Sequence, residues 1–357
     1  MKINLYAAIN GSGYGVVATN MFRSLLNIPE TNISYFPIAT NCTQARNDQE
    51  HELITQALRE AHSFDAHAPC LKIWHQHDLA PRIGKGAYYA YPIFELDTFS
   101  NQELSHFRVP DSIFVSSQWA QQVLEENKIT TPSSVIPLGV DLSIFNKDIL
   151  YSRAQSAEKY VFLNVGKWEI RKGHDVLREI FDKAFPTETD VELWILSSEM
   201  VHYSKPEELQ AWKKRYESDR IKLIPGLSSQ QEVAALMSVC DCGIYPSRAE
   251  GWNLELLEMM AMNKPVIATN YSAHTEFCDQ SNCYLIDIDD KEKAYDGKAF
   301  QGQGNWAKIG PNQIEQAIVH MRNAYENRIM TNPEGLKTAT RLTWANSAEI
   351  AMRCMSH

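Results

Sequence analysis

Short apolar runs alternate with amphipathic segments of helix length along almost the whole chain. Apolar runs bounded by turn residues are typical of buried strands, and the segments between them have the period of helices that pack on a sheet. In the first half, strands are predicted at Lys2–Ile9, Leu71–His75, Tyr89–Phe94, Ser112–Val115 and Ser134–Ile136, with helices near 16–26 and 118–126. The alternation predicts a parallel α/β sheet.

A polar stretch from Asn146 to Lys159 has no core pattern and is followed by a second series of strands. We therefore predict an interdomain linker there and two domains, residues 1–148 and 149–335, followed by a segment from 336 to 357. A helix is predicted from Ala339 to Met355. The strands of the second half are predicted at Tyr160–Val165, Val191–Leu196, Ile221–Ile224, Cys240–Tyr245, Val266–Thr269 and Tyr284–Ile286.

Composition narrows the class of protein. The formal net charge of −10 over 357 residues disfavours nucleic acid as a partner. The N-terminus lacks the pattern of a signal peptide, and no apolar run approaches the roughly 20 residues of a transmembrane span. Seven cysteines are scattered through the chain, which favours a reduced, cytoplasmic setting. Cys240 and Cys242 are predicted to be buried core thiols and not metal ligands, because no second pair has zinc-finger spacing.

The most informative segment is Tyr245–Thr269, which the pattern predicts to be a strand, a loop, a helix, a turn and a second strand. Asn253 is a preferred helix N-cap, and Leu254, Leu257 and Ala261 form one apolar stripe along the predicted helix. A loop that leads directly into a helix presents backbone N–H groups at the positive end of a helix dipole. This position suits a bound phosphate.

Two glutamates, Glu250 and Glu258, stand eight residues apart in this segment. Glu258 follows Leu254 by one helical turn and is expected to be partly buried beside the apolar stripe. A buried carboxylate requires hydrogen-bond donors, and the hydroxyls of a bound sugar or ribose would supply them.

The composite resembles the Glu-x7-Glu motif of retaining GT-B glycosyltransferases, in particular the large family 4, also called glycosyl transferases group 1. The chain departs from the family at Asn253 and Asn263, where glycine is common, but asparagine tolerates the left-handed backbone that glycine supplies. The first half is similar to the family at Asp111–Ser117 and Ile136–Phe145. The matching residues of the second half are Asp241, Pro246-Ser247, Glu250-Gly251-Trp252-Asn253-Leu254, Leu257-Glu258, Met260-Ala261 and Pro265-Val266-Ile267-Ala268.

The resemblance implies an α/β fold of the GT-B type, with two facing Rossmann-like domains built on parallel sheets. The N-terminal domain would bind the acceptor and the C-terminal domain the nucleotide sugar, while residues 336–357 would return to the N-terminal domain. It also implies a retaining hexosyltransferase that uses a nucleotide-sugar donor and needs neither a metal nor another cofactor. Acceptors in the family are saccharides, lipids, proteins or small molecules.

A basic loop, Gly166–Gly173, follows the first strand of the second half. Negative charge grows on the leaving oxygen when a nucleotide sugar loses its diphosphate, and an enzyme without a metal needs fixed cations there. By the resemblance, Lys167 and Lys172 hold the diphosphate and Gly166 borders the donor. Arg171, which is not at one of the family's two cationic positions, is a further candidate. Lys167 stands where the family has arginine, so it offers a point charge and not a two-pronged fork. The alternative reading of the loop alone is a solvated basic turn.

The resemblance also assigns roles to the two glutamates. Glu250 would contact the hydroxyls of the donor sugar and act with the two lysines in catalysis, and Glu258 would bind the nucleotide ribose. The donor diphosphate is expected to accept hydrogen bonds from the backbone near Trp252, Asn253 and Leu254.

In the first half, the loop after the first strand contains Gly11-Ser12-Gly13-Tyr14-Gly15. Small residues permit close approach of the backbone to an anion, and by the resemblance Gly11 and Gly13 border the donor phosphate while Ser12 and Tyr14 contact sugar or acceptor. The alternative is a tight strand-to-helix turn. The spacing is not that of a dinucleotide-binding fingerprint.

Three further polar residues of the first half are candidate contacts to sugar or acceptor. His75 and His77 follow an apolar strand, and His-x-His-Asp is equally able to bind a metal or to pack at the surface. Glu95 is expected near the end of another strand, in the run Tyr91–Asp97.

Two acidic sites in the second half are predicted to be structural. Asp287-Ile288-Asp289 has the form of a metal-binding Asp-x-Asp motif but follows a late strand, so we interpret it as a solvated strand terminus. Glu276 is expected to support its loop. The alternatives to a transferase are a GT-B sugar-nucleotide epimerase and a non-catalytic sugar-nucleotide-binding protein. A transferase acting on modified DNA would need a basic groove, for which Lys72, Arg82 and Lys85 are too few.

Overall fold

The computed structural model describes residues 1–40, 47–148, 159–197 and 205–356. Most of the predicted linker, residues 149–158, therefore lies outside the described residues. The chain forms two compact units. It crosses from unit 1 to unit 2 after Asp141, which is earlier than the boundary predicted after residue 148. Unit 1 consists of Met1–Phe94, Thr98–Asp141 and Leu342–His357, and unit 2 of Glu95–Asp97 and Leu142–Arg341.

Unit 1 is built on a six-stranded sheet in which every neighbouring pair is parallel and the strand order is β2-β1-β3-β4-β5-β6. Its apolar strand residues are almost fully buried, as expected for a parallel sheet covered by helices. The elements are β1 (Lys2–Ile9), α1 (Gly13–Leu26), β2 (Asn32–Thr40), α2 (Asp48–Glu60), β3 (Cys70–Ile73), β4 (Tyr88–Ala90), α3 (Asn101–His106), β5 (Ser112–Val115), α4 (Gln118–Glu126) and β6 (Ser133–Val135).

Several boundaries in unit 1 differ from the prediction. Helix α1 begins at Gly13 and not near residue 16, because the Ser12 hydroxyl accepts a hydrogen bond from Gly15 N and caps it. Strand β4 ends at Ala90, before Pro92, which has no N–H to donate to a neighbouring strand. Strand β3 ends at Ile73, so the predicted strand residues Trp74 and His75 lie in a loop. The elements β2 and α2 were not predicted.

Unit 2 is built on a second parallel sheet with the order β12-β11-β10-β7-β8-β9, and a separate antiparallel hairpin, β13-β14, which was not predicted. The elements are β7 (Tyr160–Val165), α5 (His174–Ala184), β8 (Val191–Leu196), α6 (Pro206–Arg215), β9 (Ile221–Ile224), α7 (Gln230–Val239), β10 (Cys242–Tyr245), α8 (Leu254–Ala261), β11 (Val266–Asn270), β12 (Tyr284–Asp287), β13 (Lys291–Tyr295), β14 (Gln301–Ala307), α9 (Pro311–Glu326) and α10 (Pro333–Arg341).

The single helix predicted from Ala339 to Met355 is two helices. Helix α10 ends at Arg341, and α11 (Trp344–Met355) starts again after Thr343, whose side chain accepts a hydrogen bond from Asn346 N. Helix α11 belongs to unit 1, where Val140 pairs with Thr343 in a parallel bridge. Only glycine fits at position 139, because a Cβ there would lie 2.1 Å from the Trp344 nitrogen.

Two further predictions concern the cysteines and the absence of a transmembrane span. Cys240 and Cys242 are both fully buried, but Cys240 ends α7 and only Cys242 lies in β10. Among the helices of the described ranges, none has the length and apolar composition needed to cross a membrane.

Candidate active site

Two loops of unit 2 leave the sheet side by side at the carboxyl ends of β7 and β10. The two strands are neighbours, yet the chain continues from β7 to β8 on one side and from β10 to β11 on the other. Such a reversal of strand order is where open parallel sheets bind ligands. The two loops are Gly166–Gly173 and Pro246–Asn253.

Two glycines allow close contacts at this point, Gly173 between the two loops and Gly166 within the first loop. Gly173 has φ +78°, and a Cβ on it would lie 2.2 Å from the Pro246 carbonyl oxygen. The Lys172 side chain passes over Gly166, where a Cβ would meet Lys172 Cδ at 3.3 Å. Arg248 N donates a hydrogen bond to the Arg171 carbonyl at 2.7 Å, and the charged side chains of both loops therefore converge.

A buried ion cluster forms where the loops meet. Arg171 Nη1 donates to Glu250 Oε2 at 2.9 Å, and Arg171 Nη2 donates to Glu169 Oε2 at 2.7 Å. Lys172 Nζ lies 2.9 Å from Glu250 Oε1. Arg171, Lys172 and Glu250 are all buried. Each carboxylate oxygen of Glu250 is therefore next to a different cation.

The cluster is ionised at neutral pH. Burial by itself would raise the pKa of Glu250, but the positive charges of Lys172 and Arg171 outweigh it and lower this pKa to about 2. Burial opposes the charged form of Lys172, yet Glu250 and Glu255 raise the pKa of Lys172 above its ordinary value. The carboxylates around Arg171 likewise overcome its burial and raise its pKa.

Lys167 and Glu95 lie at the edge of this cluster. Lys167 is partly exposed and has no ion-pair partner among the described residues, so its ammonium group is available to an anion. Glu95 Oε1 is 3.8 Å from Arg171 Nη1, and burial raises the pKa of Glu95 despite the opposing effect of Arg171. The prediction that Glu95 lies near the end of a strand is wrong, because β4 stops at Ala90.

Helix α8 begins directly behind the cluster. Its N-cap, Asn253, has φ +81° and accepts a hydrogen bond from Leu256 N at 3.2 Å. Asn263 has φ +59°, so asparagine occupies left-handed backbone at both positions where the family has glycine. The helix is buried from Leu256 to Ala261, whereas Leu254, at the start of the predicted apolar stripe, is half-buried.

The helix also carries a buried carboxylate without a partner. Glu258 is 8% exposed, and within the described residues its side chain has no hydrogen bond or ion pair. Burial, followed by repulsion from Glu255, raises its pKa well above the ordinary value. Trp252 Nε1, a hydrogen-bond donor, is buried and also has no partner among the described residues. The Glu258 carboxylate is an acceptor that a ligand with hydrogen-bond donors would satisfy.

Several residues that position the site were not singled out from the sequence. Arg248 is buried, donates to the Ile170 carbonyl at 2.7 Å, pairs with Asp175 through both Nη atoms and donates to Glu292 Oε1 at 2.6 Å. It thus joins both loops, the start of α5 and the hairpin. Its only sequence signal is its place between Pro246-Ser247 and Glu250.

Two buried histidines and a serine brace the same loops. His174 Nε2 lies 2.9 Å from Asn164 Oδ1, and burial lowers its pKa to about 4. His274 Nε2 lies 2.9 Å from Asn253 Nδ2, and burial lowers the pKa of His274 as well. Ser272 Oγ accepts a hydrogen bond from Glu250 N at 2.8 Å. Neither histidine belongs to a sequence pattern that would have indicated this role.

The remaining acidic candidates lie elsewhere. Glu276 ends the short helical turn Ser272–Glu276 that carries Ser272. Asp287 accepts a hydrogen bond from Asn270 Nδ2 at 3.1 Å, and Asp289 accepts one from Asn312 Nδ2 at 2.9 Å. In the described part of the chain, no three His, Cys, Asp or Glu side chains are arranged to bind a metal ion.

Except for Glu95, which belongs to unit 2, the candidate residues of the first half lie in unit 1. Gly11 and Gly13 are exposed, and Ser12 both donates to Asn10 Oδ1 at 2.5 Å and caps α1. The Tyr14 ring contacts the His75 ring at a centroid distance of 4.3 Å, and the His75 and His77 rings stack at 5.1 Å. His75 and His77 were predicted at a strand end but belong to the loop and short helical turn after β3.

Two sheet units of this type define the GT-B fold, which the sequence predicted. The sucrose-phosphate synthase of Thermosynechococcus elongatus has a TM-score of 0.70 at 14% identity and covers 99% of this chain and 98% of that one. HepE of Anabaena, solved in complex with UDP and glucose, has a TM-score of 0.70 at 14% identity and covers 100% of this chain and 99% of its own. At such identities the likeness establishes the fold alone.

Residues 159–297 match the family model described as glycosyl transferases group 1. An uncharacterized glycosyltransferase of Methanocaldococcus jannaschii is 27% identical over 235 residues, which are 66% of this chain and 56% of that protein. The serotype-specific mannosyltransferase WbdA of Escherichia coli is 26% identical over 213 residues, 56% of this chain and 25% of its own length. The chain thus spans little more than half of the first relative and about a quarter of the second.

Proposed function

We propose that this protein is a retaining glycosyltransferase that takes a sugar from a nucleoside diphosphate sugar and requires no metal ion. The observation that carries the proposal is Glu258, a buried carboxylate with no partner in the described part of the chain, eight residues beyond Glu250. A protein gains nothing from burying such a group unless a ligand supplies the donors. Vicinal ribose hydroxyls are donors of the right kind.

The diphosphate is assigned to the basic loop and the start of α8. The basic loop contains three cations, Lys167, Arg171 and Lys172. The first N–H groups of α8 add the positive end of a helix dipole. When the bond from the sugar to the diphosphate breaks, these groups stabilise the charge on the leaving oxygen. Fixed cations of this kind take over the task that a divalent metal performs in other transferases.

Glu250 is assigned to the donor sugar. Its carboxylate is held by Arg171 and Lys172, and its pKa of about 2 keeps it ionised at neutral pH. An ionised carboxylate is a strong acceptor for sugar hydroxyls, and a carboxylate with so low a pKa is a weak nucleophile. We therefore propose that retention proceeds by attack of the acceptor on the face that the diphosphate leaves. In that step the leaving phosphate takes the proton of the acceptor hydroxyl.

Relatives suggest the donors to test first. HepE was solved with UDP and glucose and also with UDP-glucose, and WbdA is named as a mannosyltransferase. We therefore propose a hexose carried on a nucleoside diphosphate as the donor class, with UDP- and GDP-linked hexoses as the first probes.

A thermal-shift panel of nucleoside diphosphates and their sugars tests the proposal, because a ligand that binds only the folded protein raises its melting temperature. Lys172→Ala should weaken the shift and lower turnover by about 10²–10³-fold, the usual effect of removing one group that stabilises transition-state charge. Lys183→Ala, which removes an exposed lysine of α5, is the matched control.

Incubation with donor alone separates a transferase from an epimerase, and NMR of the product shows whether the anomeric configuration of the donor is retained. Near-normal turnover in both Lys172→Ala and Glu258→Ala would contradict the assignment of the site.

A further inference from the structure

The short helical turn Ser272–Glu276, which follows β11, is bound to the backbone of Glu250. Ala273 N donates to the Glu250 carbonyl at 3.2 Å, and Glu250 N donates to Ser272 Oγ at 2.8 Å. Both backbone polar groups of Glu250 are therefore engaged by this turn. A shift of the turn would move the loop Pro246–Asn253 with it.

The turn also places the imidazole ring of His274 in the interior of unit 2, where it has no exposed surface. His274 Nδ1 lies 2.9 Å from the Thr269 carbonyl oxygen, and His274 Nε2 lies 2.9 Å from Asn253 Nδ2. Burial lowers the pKa of His274, so the ring is neutral at pH 7. A carbonyl oxygen only accepts hydrogen bonds, so Nδ1 carries the proton and Nε2 is an acceptor.

The amide of Asn253 is oriented to match this tautomer. Asn253 Oδ1 accepts a hydrogen bond from Leu256 N at 3.2 Å. Because a backbone N–H only donates, Oδ1 must face the helix, and Nδ2 therefore faces the ring and donates to His274 Nε2. One chain of hydrogen bonds thus links the start of α8 to the end of β11 through two buried side chains.

The far end of this chain is fixed as well. Thr269 Oγ1 donates to the Ser247 carbonyl at 2.6 Å, which ties the end of β11 to the loop after β10. Thr275 Oγ1 donates to the Ser272 carbonyl at 2.7 Å, within the turn that carries His274. The ring therefore has a rigid support on the side opposite to Asn253.

The hydrogen bond from Leu256 N decides which N–H groups of α8 remain free. The first N–H groups of a helix have no acceptor within it. Leu256 N is engaged by the Asn253 side chain, and Leu257 N donates to the Asn253 carbonyl at 3.4 Å. The N–H groups of Leu254 and Glu255 have no acceptor in the described part of the chain, so these two can face an anion.

The contact between Asn253 and His274 depends on a residue at which this chain differs from the family. Asn253 has φ +81°, a left-handed backbone that residues other than glycine adopt at a cost in free energy. Glycine, which is common at this position in the family, has no side chain for a histidine to contact. The pair is therefore a property of this chain and not of the family motif.

We infer that His274 is a positioning residue for the donor diphosphate; this inference rests on the proposed function. The ring is fully buried and acts through Asn253, which fixes the direction of the Leu254 and Glu255 N–H groups. These groups stabilise the charge on the departing diphosphate best when they are aligned before the bond breaks. Loss of the ring contact should therefore slow transfer without removing any group that binds the donor.

A double-mutant cycle tests the inference on the full chain, with the nucleotide sugar that raises the melting temperature most. His274→Phe keeps a buried ring and removes both hydrogen bonds. We expect it to lower kcat/KM for the donor about tenfold, the effect of one lost buried hydrogen bond. In the Asn253→Gly background no side chain is left to position, so the same replacement should lower kcat/KM less than about twofold.

Two further variants show whether the loss is specific. His274→Gln offers one acceptor and one donor, as the neutral ring does, and should recover most of the kcat/KM that His274→Phe loses. His320→Phe, which removes a half-buried histidine of α9 in the same unit, is the matched control and should leave kcat/KM unchanged. An equal loss for His274→Phe in both backgrounds would overturn the inference.

Nitrogen NMR of the imidazole rings tests the same contact without a change to His274. In the wild-type protein at pH 7, the His274 ring should carry its proton on Nδ1, and Asn253→Gly should shift the Nε2 resonance. A ring protonated on Nε2 would overturn the inference, even if His274→Phe proves unable to fold.

Calorimetric titration with nucleoside diphosphates separates the two proposals. If the wild-type protein binds no nucleoside diphosphate, the proposed function fails and the inference fails with it. If the wild type binds a nucleotide and transfers its sugar, but His274→Phe costs the same in both backgrounds, the inference fails alone.

Discussion

At the scale of single residues, the site holds two buried glutamates in opposite electrostatic environments. Glu250 lies between Arg171 and Lys172, and its pKa falls to about 2 although burial opposes this. Glu258 has no cation beside it, and burial raises its pKa. The first carboxylate is therefore stabilised by neighbouring cations, whereas the second has no such stabilisation among the described residues.

Replacement of Glu258 by glutamine should stabilise the free protein and weaken nucleotide binding. The folded-state pKa of Glu258 is above its ordinary value, so its contribution to stability is complete at acid pH and is lost as pH rises through the folded-state pKa. At pH 7 the variant should gain about 1–3 kcal/mol in the free energy of unfolding, the usual cost of a buried group without partners.

Urea denaturation measures the first effect and calorimetric titration with a nucleoside diphosphate the second. Glu315→Gln, at an exposed position of α9, is the control. A destabilised Glu258→Gln protein that binds nucleotide normally would show that the protein, and not a ligand, satisfies this carboxylate.

His174 should make the protein sensitive to mild acid. Burial lowers its pKa from 6.5 to about 4, so its neutral form contributes stability above pH 6.5 that is lost as pH falls from 6.5 to 4. Since 6.5 − 4 is 2.5 pKa units, the full loss is about 3 kcal/mol. Between pH 7 and pH 4.5, the free energy of unfolding should fall less in His174→Gln than in the wild type or in the exposed control His62→Gln. Denaturation at the two pH values measures this difference.

At the scale of elements, the site depends on how the loops after β7 and β10 are joined. Arg248 makes four side-chain hydrogen bonds that connect Ile170, Asp175 and Glu292. Lysine has the same charge, but its single ammonium group cannot make hydrogen bonds in all the directions of a planar guanidinium. With lysine at position 248, the two loops would be free to separate, although the charges within each loop would remain.

Arg248→Lys should therefore lower kcat more than it weakens nucleotide binding, and it should cost about 3–5 kcal/mol in the free energy of unfolding, as breaking a buried ion pair does. Urea denaturation and steady-state kinetics measure the two effects. Arg59→Lys alters an exposed ion pair on α2, with Glu52, and should change neither. Equal, small effects in both variants would show that Arg248 does not organise the loops.

The sequence predicted most strands of both sheets because their apolar runs are buried on two faces, as at Tyr160–Val165 and Val191–Leu196. It did not predict β13 and β14, whose residues are mostly polar or glycine and carry no alternating pattern. The site was predicted from the long composite that runs from Asp241 to Ala268 and its resemblance to a family, and not from the spacing of Glu250 and Glu258 alone. Arg248 and His174 were not identified from the sequence, because their roles arise from contacts with other segments of the chain.

At the scale of the whole molecule, both units repeat one architecture and place their candidate residues at equivalent points. In each sheet these residues follow strands at which the order reverses, β1 and β3 in unit 1 and β7 and β10 in unit 2. The basic loop belongs to unit 2, and the contacting rings of Tyr14, Trp74, His75 and His77 belong to unit 1.

Chelation should leave turnover unchanged, because Lys167, Arg171 and Lys172 provide the positive charge for the leaving diphosphate. The measurement is the initial rate of nucleoside diphosphate release before and after dialysis against EDTA, and again after addition of Mg²⁺ or Mn²⁺. A loss of activity on dialysis that either ion restores would contradict the metal-independent mechanism.

A crystal structure with a bound nucleoside diphosphate tests the account most directly. We predict that the diphosphate lies against Lys167 and Lys172 at the N-terminus of α8, and that the ribose hydroxyls donate to Glu258 at hydrogen-bond distance, about 2.5–3.0 Å. A nucleotide bound elsewhere, with Glu258 still without a partner, would contradict it.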